Sequence, residues 1–318
     1  VYKAIKDIKI NEISIYPEYS LLKNKLCKNY IASKNFAHDE VGIFNGADAA
    51  INAIFKTFGK KNRVFLTTTP TFGYYFPCAE IQGMRIECCS YIGNDFIFPL
   101  DNFNNKIKQF NPSLIFICNP NNPTGTVISA QKIIEIANNN KKSLIVIDEL
   151  YEKFYGDSLL PIIDFKKTKN IVIVQSLSKT AGLAGLRIGF AFGNSQIIKY
   201  INKVTGPYDV NSFAVTAANA ALEDKEYIDN YVLKVKAARN WIKEKFNSLD
   251  RRTNFNAGNY FLIWPKLNPT ILENMMRENG ILIRSMENKN DINKSVRISI
   301  GVKEQMEIFW DVYKKLDK

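Results

Sequence analysis

Between residues 64 and 192 the chain alternates short apolar runs with amphipathic stretches, and this alternation restricts the fold more than any other feature. The runs lie at 64–67, 114–118, 144–148, 171–175 and 188–192 and are rich in Val, Ile, Leu and Phe. They are too short for buried helices and read as strands covered on both faces. The stretches 49–58 and 131–138 repeat apolar residues at helical spacing, and Ser129 is placed to cap the second. Strand–helix alternation predicts an α/β fold with a mostly parallel central sheet between helices. After Pro207 the pattern changes to a helical region at about 212–246, short strands at 260–264, 281–284 and 296–300, and a last helix. The expected division is an N-terminal arm (1–20), a large domain (21–208) and a small α+β domain (209–318).

In open α/β sheets ligands sit outside the carboxyl ends of the strands. Three polar clusters follow directly on expected strands: Asn119-Pro120-Asn121-Asn122-Pro123-Thr124-Gly125, Asp148-Glu149, and Ser176-Leu177-Ser178-Lys179. Their convergence on one sheet edge marks it as the expected site.

Composition removes several alternatives. No apolar run reaches the ~18 residues that a membrane span needs, and the polar start Val1-Tyr2-Lys3-Ala4-Ile5-Lys6 does not read as a signal peptide. Five cysteines (Cys27, Cys78, Cys88, Cys89, Cys118) form no C-x-x-C pair, so neither a disulfide framework nor a zinc cage is expected, and a reducing cytoplasm fits. The single histidine, His38, lies in a polar stretch and leaves no histidine-rich metal site to build, so no metal is expected. The net charge of +12 suggests an anionic partner, but the lysines are spread along the whole chain. A solvated basic surface is expected rather than a nucleic-acid interface.

Lys179 stands in Ser-Leu-Ser-Lys-Thr-Ala-Gly-Leu-Ala-Gly-Leu-Arg, just past a strand. Alone it reads as a surface lysine. Ser176, Ser178 and Arg187 add two hydroxyls and a fixed cation, which is what a phosphate requires, while Gly182 and Gly185 allow close backbone approach. A lysine whose neutral form is favoured becomes a nucleophile or Schiff-base former. Asp148 ends Leu-Ile-Val-Ile, where an acid needs a partner. A protonated pyridine nitrogen would serve, and so would a helix cap or a magnesium ion. The two prolines of Asn-Pro-Asn-Asn-Pro-Thr-Gly fix the turn that presents Asn122 at the sheet edge.

Taken together, N-P-N-N-P-T-G, I-D-E-L-Y and S-L-S-K-x-x-G-L-A-G-L-R resemble the motifs of fold-type I pyridoxal-phosphate (PLP) aminotransferases, and within them the histidinol-phosphate aminotransferase family. Further similarity lies in Tyr16-Pro17-Glu18, Gly46-Ala47-Asp48, Pro70-Thr71-Phe72-Gly73-Tyr74-Tyr75, Pro207-Tyr208-Asp209-Val210-Asn211, Gly280-Ile281-Leu282-Ile283-Arg284 and Val296-Arg297-Ile298-Ser299-Ile300-Gly301. The resemblance implies that Lys179 holds PLP as a Schiff base and moves the substrate's α-proton. It further implies that Asp148 pairs with the ring nitrogen, that Asn122 and Tyr151 bond the ring hydroxyl, and that Phe72 stacks on the ring. Ser176, Ser178, Arg187 and the backbone at Gly46, Ala47 and Asp48 would hold the phosphate. Tyr16 would reach the phosphate of a neighbouring subunit, which implies a homodimer with shared sites. Arg297 would grip the substrate carboxylate and Arg284 a second anion. The sequence departs from the family where Asn11-Glu12 is followed almost at once by Ile15-Tyr16-Pro17. Some tens of residues usually separate these elements, in an arm that helps to close the site.

The leading expectation is therefore transfer of an amino group between glutamate/2-oxoglutarate and a small phosphorylated substrate like histidinol phosphate. Decarboxylation of a phosphorylated amino acid (threonine-phosphate-like) and transamination of a small phosphorylated ketone remain open at this point. A catalytically silent regulator on the same fold is opposed by the intact Lys179, Asp148 and Asn122.

Overall fold

A computed structural model describes residues 1–28, 30–31 and 34–317. Seven strands, β1 (Val41–Phe44), β2 (Val64–Thr69), β3 (Arg85–Ser90), β4 (Leu114–Cys118), β5 (Leu144–Asp148), β6 (Ile171–Ser176) and β7 (Gly189–Gly193), form one sheet in the order β1-β7-β6-β5-β4-β2-β3. The run from β6 to β3 is parallel, and β7 is antiparallel to both of its neighbours. This is the mostly parallel α/β sheet expected from the alternation. Three elements precede it: α1 (Tyr2–Lys6), α2 (Ile10–Ser14) and α3 (Ser20–Lys28). Around it lie α4 (Ala47–Phe58), α5 (Tyr75–Ile81), α6 (Leu100–Phe110), α7 (Ala130–Asn139), α8 (Ser195–Asn202) and α9 (Ser212–Glu223).

Side chains alternate between the faces of a strand, and the central strands use both faces. Ile115 and Ile117 of β4, with Ile145 and Ile147 of β5, join a core made with α3, α6, α7 and α9. Phe116 and Val146, on the opposite face, join α4, α5 and α8. Each side chain so buried contributes ~1.5–3 kcal/mol, which is why these runs are continuously apolar. Ser129 caps α7 as its position suggested, its Oγ accepting the Lys132 N–H.

The second unit contains α10 (Lys225–Asn247), β8 (Thr253–Asn254), β9 (Tyr260–Ile263), α11 (Pro269–Glu278), β10 (Arg284–Ser285), β11 (Val296–Ser299) and α12 (Lys303–Leu316). Its antiparallel sheet has the order β10-β11-β9-β8 and shares a third core with the three helices. Two expectations are corrected here. The helical region 212–246 is two helices, because the Asp224 side chain accepts the Tyr227 N–H and starts a new one. The first of them, α9, buries Ala214, Ala217 and Ala218 in the large-sheet core. The strand expected at 281–284 is only the two-residue β10. A small apolar cluster of Tyr91 and Phe96 with Leu262, Met286 and Ile292 joins the two units. Among the described residues no helix is long and apolar enough to cross a membrane.

Candidate active site

The carboxyl ends of β4, β5 and β6 lie side by side, with Cys118 opposite Asp148 and Asp148 opposite Val174. The turn that leaves β4 is tied down on several sides. Asn121 donates to the Pro70 carbonyl (2.9 Å) and to Thr124 Oγ1 (2.8 Å), and its Oδ1 accepts the Thr71 hydroxyl (2.7 Å). Gly125 has φ +67°, and a Cβ there would collide with the Ala257 carbonyl, so only glycine fits. Tyr260 of β9 donates its hydroxyl to the Asn121 carbonyl at 2.6 Å. The turn is thereby a rigid mount for Asn122. Its Nδ2 donates to the Tyr151 hydroxyl (3.3 Å), and its Oδ1 accepts from Arg297 (2.7 Å).

Above these strand ends is a cavity of about 220 Å³, lined in part by Phe72, Cys118, Asn122, Asp148, Leu150 and Tyr151. Lys179, Ser178, Ala184, Arg187, Ala47 and Asp48 complete it. Asp148 is 2% exposed. The Tyr75 hydroxyl donates to its Oδ2 at 2.6 Å and the Leu150 N–H to its Oδ1 at 3.3 Å. Burial pushes this carboxyl up to about 6 against the pull of those two donors. Lys179 is half-buried, and its ammonium is less basic than usual, first through burial and then through the nearby charge of Arg297. Asp48 and Asp148 oppose that shift. A lysine held this way gives up its proton more readily than a surface lysine.

Arg187 and the start of a helix also border the cavity. Helix α4 begins at Ala47 after Gly46, whose φ is +83°, and its first two residues, Ala47 and Asp48, line the cavity, so a helix N-terminus borders it. A Cβ at Gly46 would stand 2.7 Å from the Arg187 guanidinium. Arg187 itself has φ +56° and pairs with Asp48 at 2.7 Å. Ser178 lines the cavity, whereas Ser176 does not. Ser176 is buried, and its Oγ accepts the Ser178 N–H at 3.2 Å, which shapes the turn that carries Lys179.

Besides Ser176 and Gly46, three residues singled out in the sequence, Tyr16, Arg284 and Arg297, are not part of the cavity lining. Tyr16 is 73% exposed and stacks on Tyr208 with ring centroids 4.3 Å apart. Arg284 is exposed on β10, directly opposite Arg297 in the ladder. Arg297 Nε is buried and has no hydrogen-bond partner.

The pattern of the aminotransferase class I and II family matches residues 1–312. The chain belongs to that family. Among its relatives is the histidinol-phosphate aminotransferase of Caldanaerobacter subterraneus subsp. tengcongensis, 30% identical over 305 residues that span 95% of this chain and 84% of the relative. Many solved structures share the fold. Histidinol-phosphate aminotransferase from Sinorhizobium meliloti in complex with pyridoxal-5'-phosphate has a TM-score of 0.86 at 20% identity, covering 99% of this chain and 87% of that one. L-threonine-O-3-phosphate decarboxylase from Porphyromonas gingivalis has a TM-score of 0.83 at 24% identity, covering 99% and 94%.

In this aminotransferase, sequence reasoning missed Tyr75, Cys118, Leu150 and Ala184 as parts of the site. Cys118 was recoverable, because it closes the strand just before the Asn-Pro turn. Tyr75 was not, because nothing local connects it to an acid 73 positions away.

Proposed function

We propose that this aminotransferase binds PLP in the 220 Å³ cavity and moves an amino group between glutamate/2-oxoglutarate and a small phosphorylated substrate resembling histidinol phosphate. One observation carries the reading. A buried acid, a lysine of lowered basicity, and an arginine beside a helix N-terminus stand at separate points of a single cavity. They match the ring nitrogen, aldehyde and phosphate of PLP in charge and hydrogen-bonding character. Bound there, PLP supplies an electron sink for the substrate's α-carbon.

The protein's own groups then divide the work. Asp148 holds a proton on the ring nitrogen, and Asn122 with Tyr151 bonds the ring hydroxyl. Phe72 offers an aromatic face to the ring. Ser178, Arg187 and the α4 amides at Ala47 and Asp48 hold the phosphate, with Gly46 leaving room and Ser176 shaping the Ser178 turn. Lys179 anchors the cofactor and takes and returns the α-proton. Arg297 would take a carboxylate, since its guanidinium bonds Asn122 of the cavity lining and its charge has no acid partner among the described residues. The Arg284 side chain, opposite it, makes no hydrogen bond or ion pair among the described residues and suits a second anion. Like charges facing across a ladder repel, and an anion between them relieves this.

Tyr16 is exposed and outside its own chain's cavity, which supports its service to a second copy. The active unit in this reading is a homodimer with shared sites. Five free cysteines fit a reducing cytoplasm.

The test is a half-reaction screen. The enzyme is converted with glutamate to its amine form and then offered unphosphorylated keto acids, the keto partner of histidinol phosphate, and small phosphorylated ketones. Fast return of the cofactor spectrum only with the histidinol-phosphate partner is the expected result. Equal rates with unphosphorylated keto acids would replace it with a general amino-acid aminotransferase. Release of carbon dioxide from a phosphorylated amino acid would replace it with a decarboxylase.

A further inference from the structure

Behind the cavity, on the face of the sheet covered by α4, α5 and α8, the lining is almost wholly apolar. Among the buried residues of that cluster, one side chain carries a hydroxyl. Tyr75, the first residue of α5, is fully buried. Its ring lies 5.0 Å from that of Phe116 and 5.5 Å, edge-on, from that of Phe72. From there it reaches across β4 to Asp148 at the end of β5, and its hydroxyl meets Oδ2 at 2.6 Å. Among the described residues the Asp148 carboxylate accepts only one other hydrogen bond, the longer one from the Leu150 N–H.

We propose that Tyr75 is a positioning residue for the reaction: its hydroxyl fixes the Asp148 carboxylate and keeps it an anion, so that Asp148 can hold a proton on the cofactor's ring nitrogen. The inference rests on the PLP reading above.

The physical case follows from where the acid sits. A carboxylate in an apolar layer takes up a proton unless a donor stabilises its charge. A short hydrogen bond from a neutral hydroxyl to a carboxylate is of the strong, charge-assisted kind. Burial holds the Tyr75 phenol well above its usual range, so it stays protonated and remains a donor. Other titratable groups face Asp148 from every neighbouring element: Cys118 from β4, Asp48 from α4, Lys179 from the turn after β6, and Tyr151 just beyond β5. The Lys179 charge favours the carboxylate and the Asp48 charge disfavours it. Of these four side chains none hydrogen-bonds to it, whereas Tyr75 does. The aromatic contact between Tyr75 and Phe72 also ties the aspartate's support to the residue proposed to cover the ring.

The test uses Tyr75→Phe, which removes one oxygen and keeps the ring. Holoenzyme is loaded with cofactor carrying ¹⁵N at the ring nitrogen, and its ¹⁵N shift is followed against pH alongside kcat and KM. The expected result is a ring nitrogen that loses its proton at a pH about one unit lower, a change of about tenfold in proton affinity, with kcat falling about as much and KM little changed. In an Asp148→Asn background, adding Tyr75→Phe should change neither quantity further. Replacing Tyr75 by 3-fluorotyrosine, a better donor of nearly the same shape, should move the titration the opposite way. An unchanged titration in Tyr75→Phe, or an equal loss of kcat in both backgrounds, overturns the assignment and leaves Tyr75 a packing residue. If Tyr75→Phe does not fold, the fluorotyrosine protein decides alone: an upward shift sustains the proposal and no shift overturns it. Wild-type protein that takes up no cofactor would instead overturn the functional reading itself.

Discussion

Asp148 and Glu149 are neighbours at the end of β5, both are buried, and both are pushed up, to about 6 and about 7 respectively. They point to opposite faces of the sheet. Glu149 is closed in by protein donors: the Ser158 hydroxyl (2.6 Å), the Leu159 N–H (2.8 Å) and the Gln175 amide (2.8 Å). Gln175 is held in turn by the Tyr30 hydroxyl at 2.6 Å. Asp148 has two donors and a cavity beside it. Burial and a raised pKa are therefore shared by an acid that lines the cavity and one that the protein encloses. What separates them is whether the protein itself uses up the carboxylate's hydrogen-bonding capacity.

The largest effect expected from this contrast is in Asp148→Asn. Turnover should fall by about 10²–10³-fold, the usual loss when one preorganised charge is removed from a site, while cofactor affinity, which rests on the phosphate contacts, changes far less. Steady-state rates and cofactor titration check this, and unchanged turnover would make Asp148 as structural as its neighbour.

The same contrast between enclosed and open groups applies to the arginines. Arg297 is half-buried and bonded to Asn122, whereas Arg284 is exposed. Arg297→Ala should weaken the glutamate half-reaction, and Arg284→Ala the half-reaction of the phosphorylated partner more, each by about 1.5–3 kcal/mol for a charged hydrogen bond. Single-turnover rates for the two half-reactions measure the split. Equal losses in both would merge the two roles.

Glu149→Gln should leave cofactor binding and turnover nearly intact but cost about 1–3 kcal/mol of stability, because the new amide faces the Gln175 amide donor without an acceptor. The pH dependence has a definite sign. The folded-state value of about 7 lies above the ordinary 4.5, chiefly through burial, so the fold favours the protonated acid. The stability that Glu149 contributes is fully present below about 4.5 and is lost as pH rises through about 7. Chemical denaturation across that window should show the wild type's advantage over Glu149→Gln shrinking as pH rises. A constant or growing gap would contradict the assignment.

How much of this was legible in the sequence depends on whether the signal is local. Strands β2, β4, β5, β6 and β7 were readable because burial on both faces demands uninterrupted apolar runs. β3 (Arg-Ile-Glu-Cys-Cys-Ser) was not, since it is an edge strand that tolerates polar residues. β1 was missed because it has only four residues, one of them a glycine. Asp224 ends one helix and starts the next through a single side-chain cap, which apolar periodicity does not register. In the candidate site, Asp148 was legible because it ends a strand, and Asn122, Ser178 and Lys179 because each follows one. The approach of Tyr75 to Asp148 and of Arg297 to Asn122 depends on strand order and on the docking of two units, and neither is written at any one position.

In the proposed function Lys179, and no other of the chain's many lysines, carries the cofactor in this cavity. Borohydride reduction of the holoenzyme followed by peptide mass mapping tests it most directly. One modified peptide, containing Lys179, is expected, together with loss of the visible cofactor band in Lys179→Ala. A stable label on a different lysine, or a band that survives in Lys179→Ala with full turnover, would contradict it.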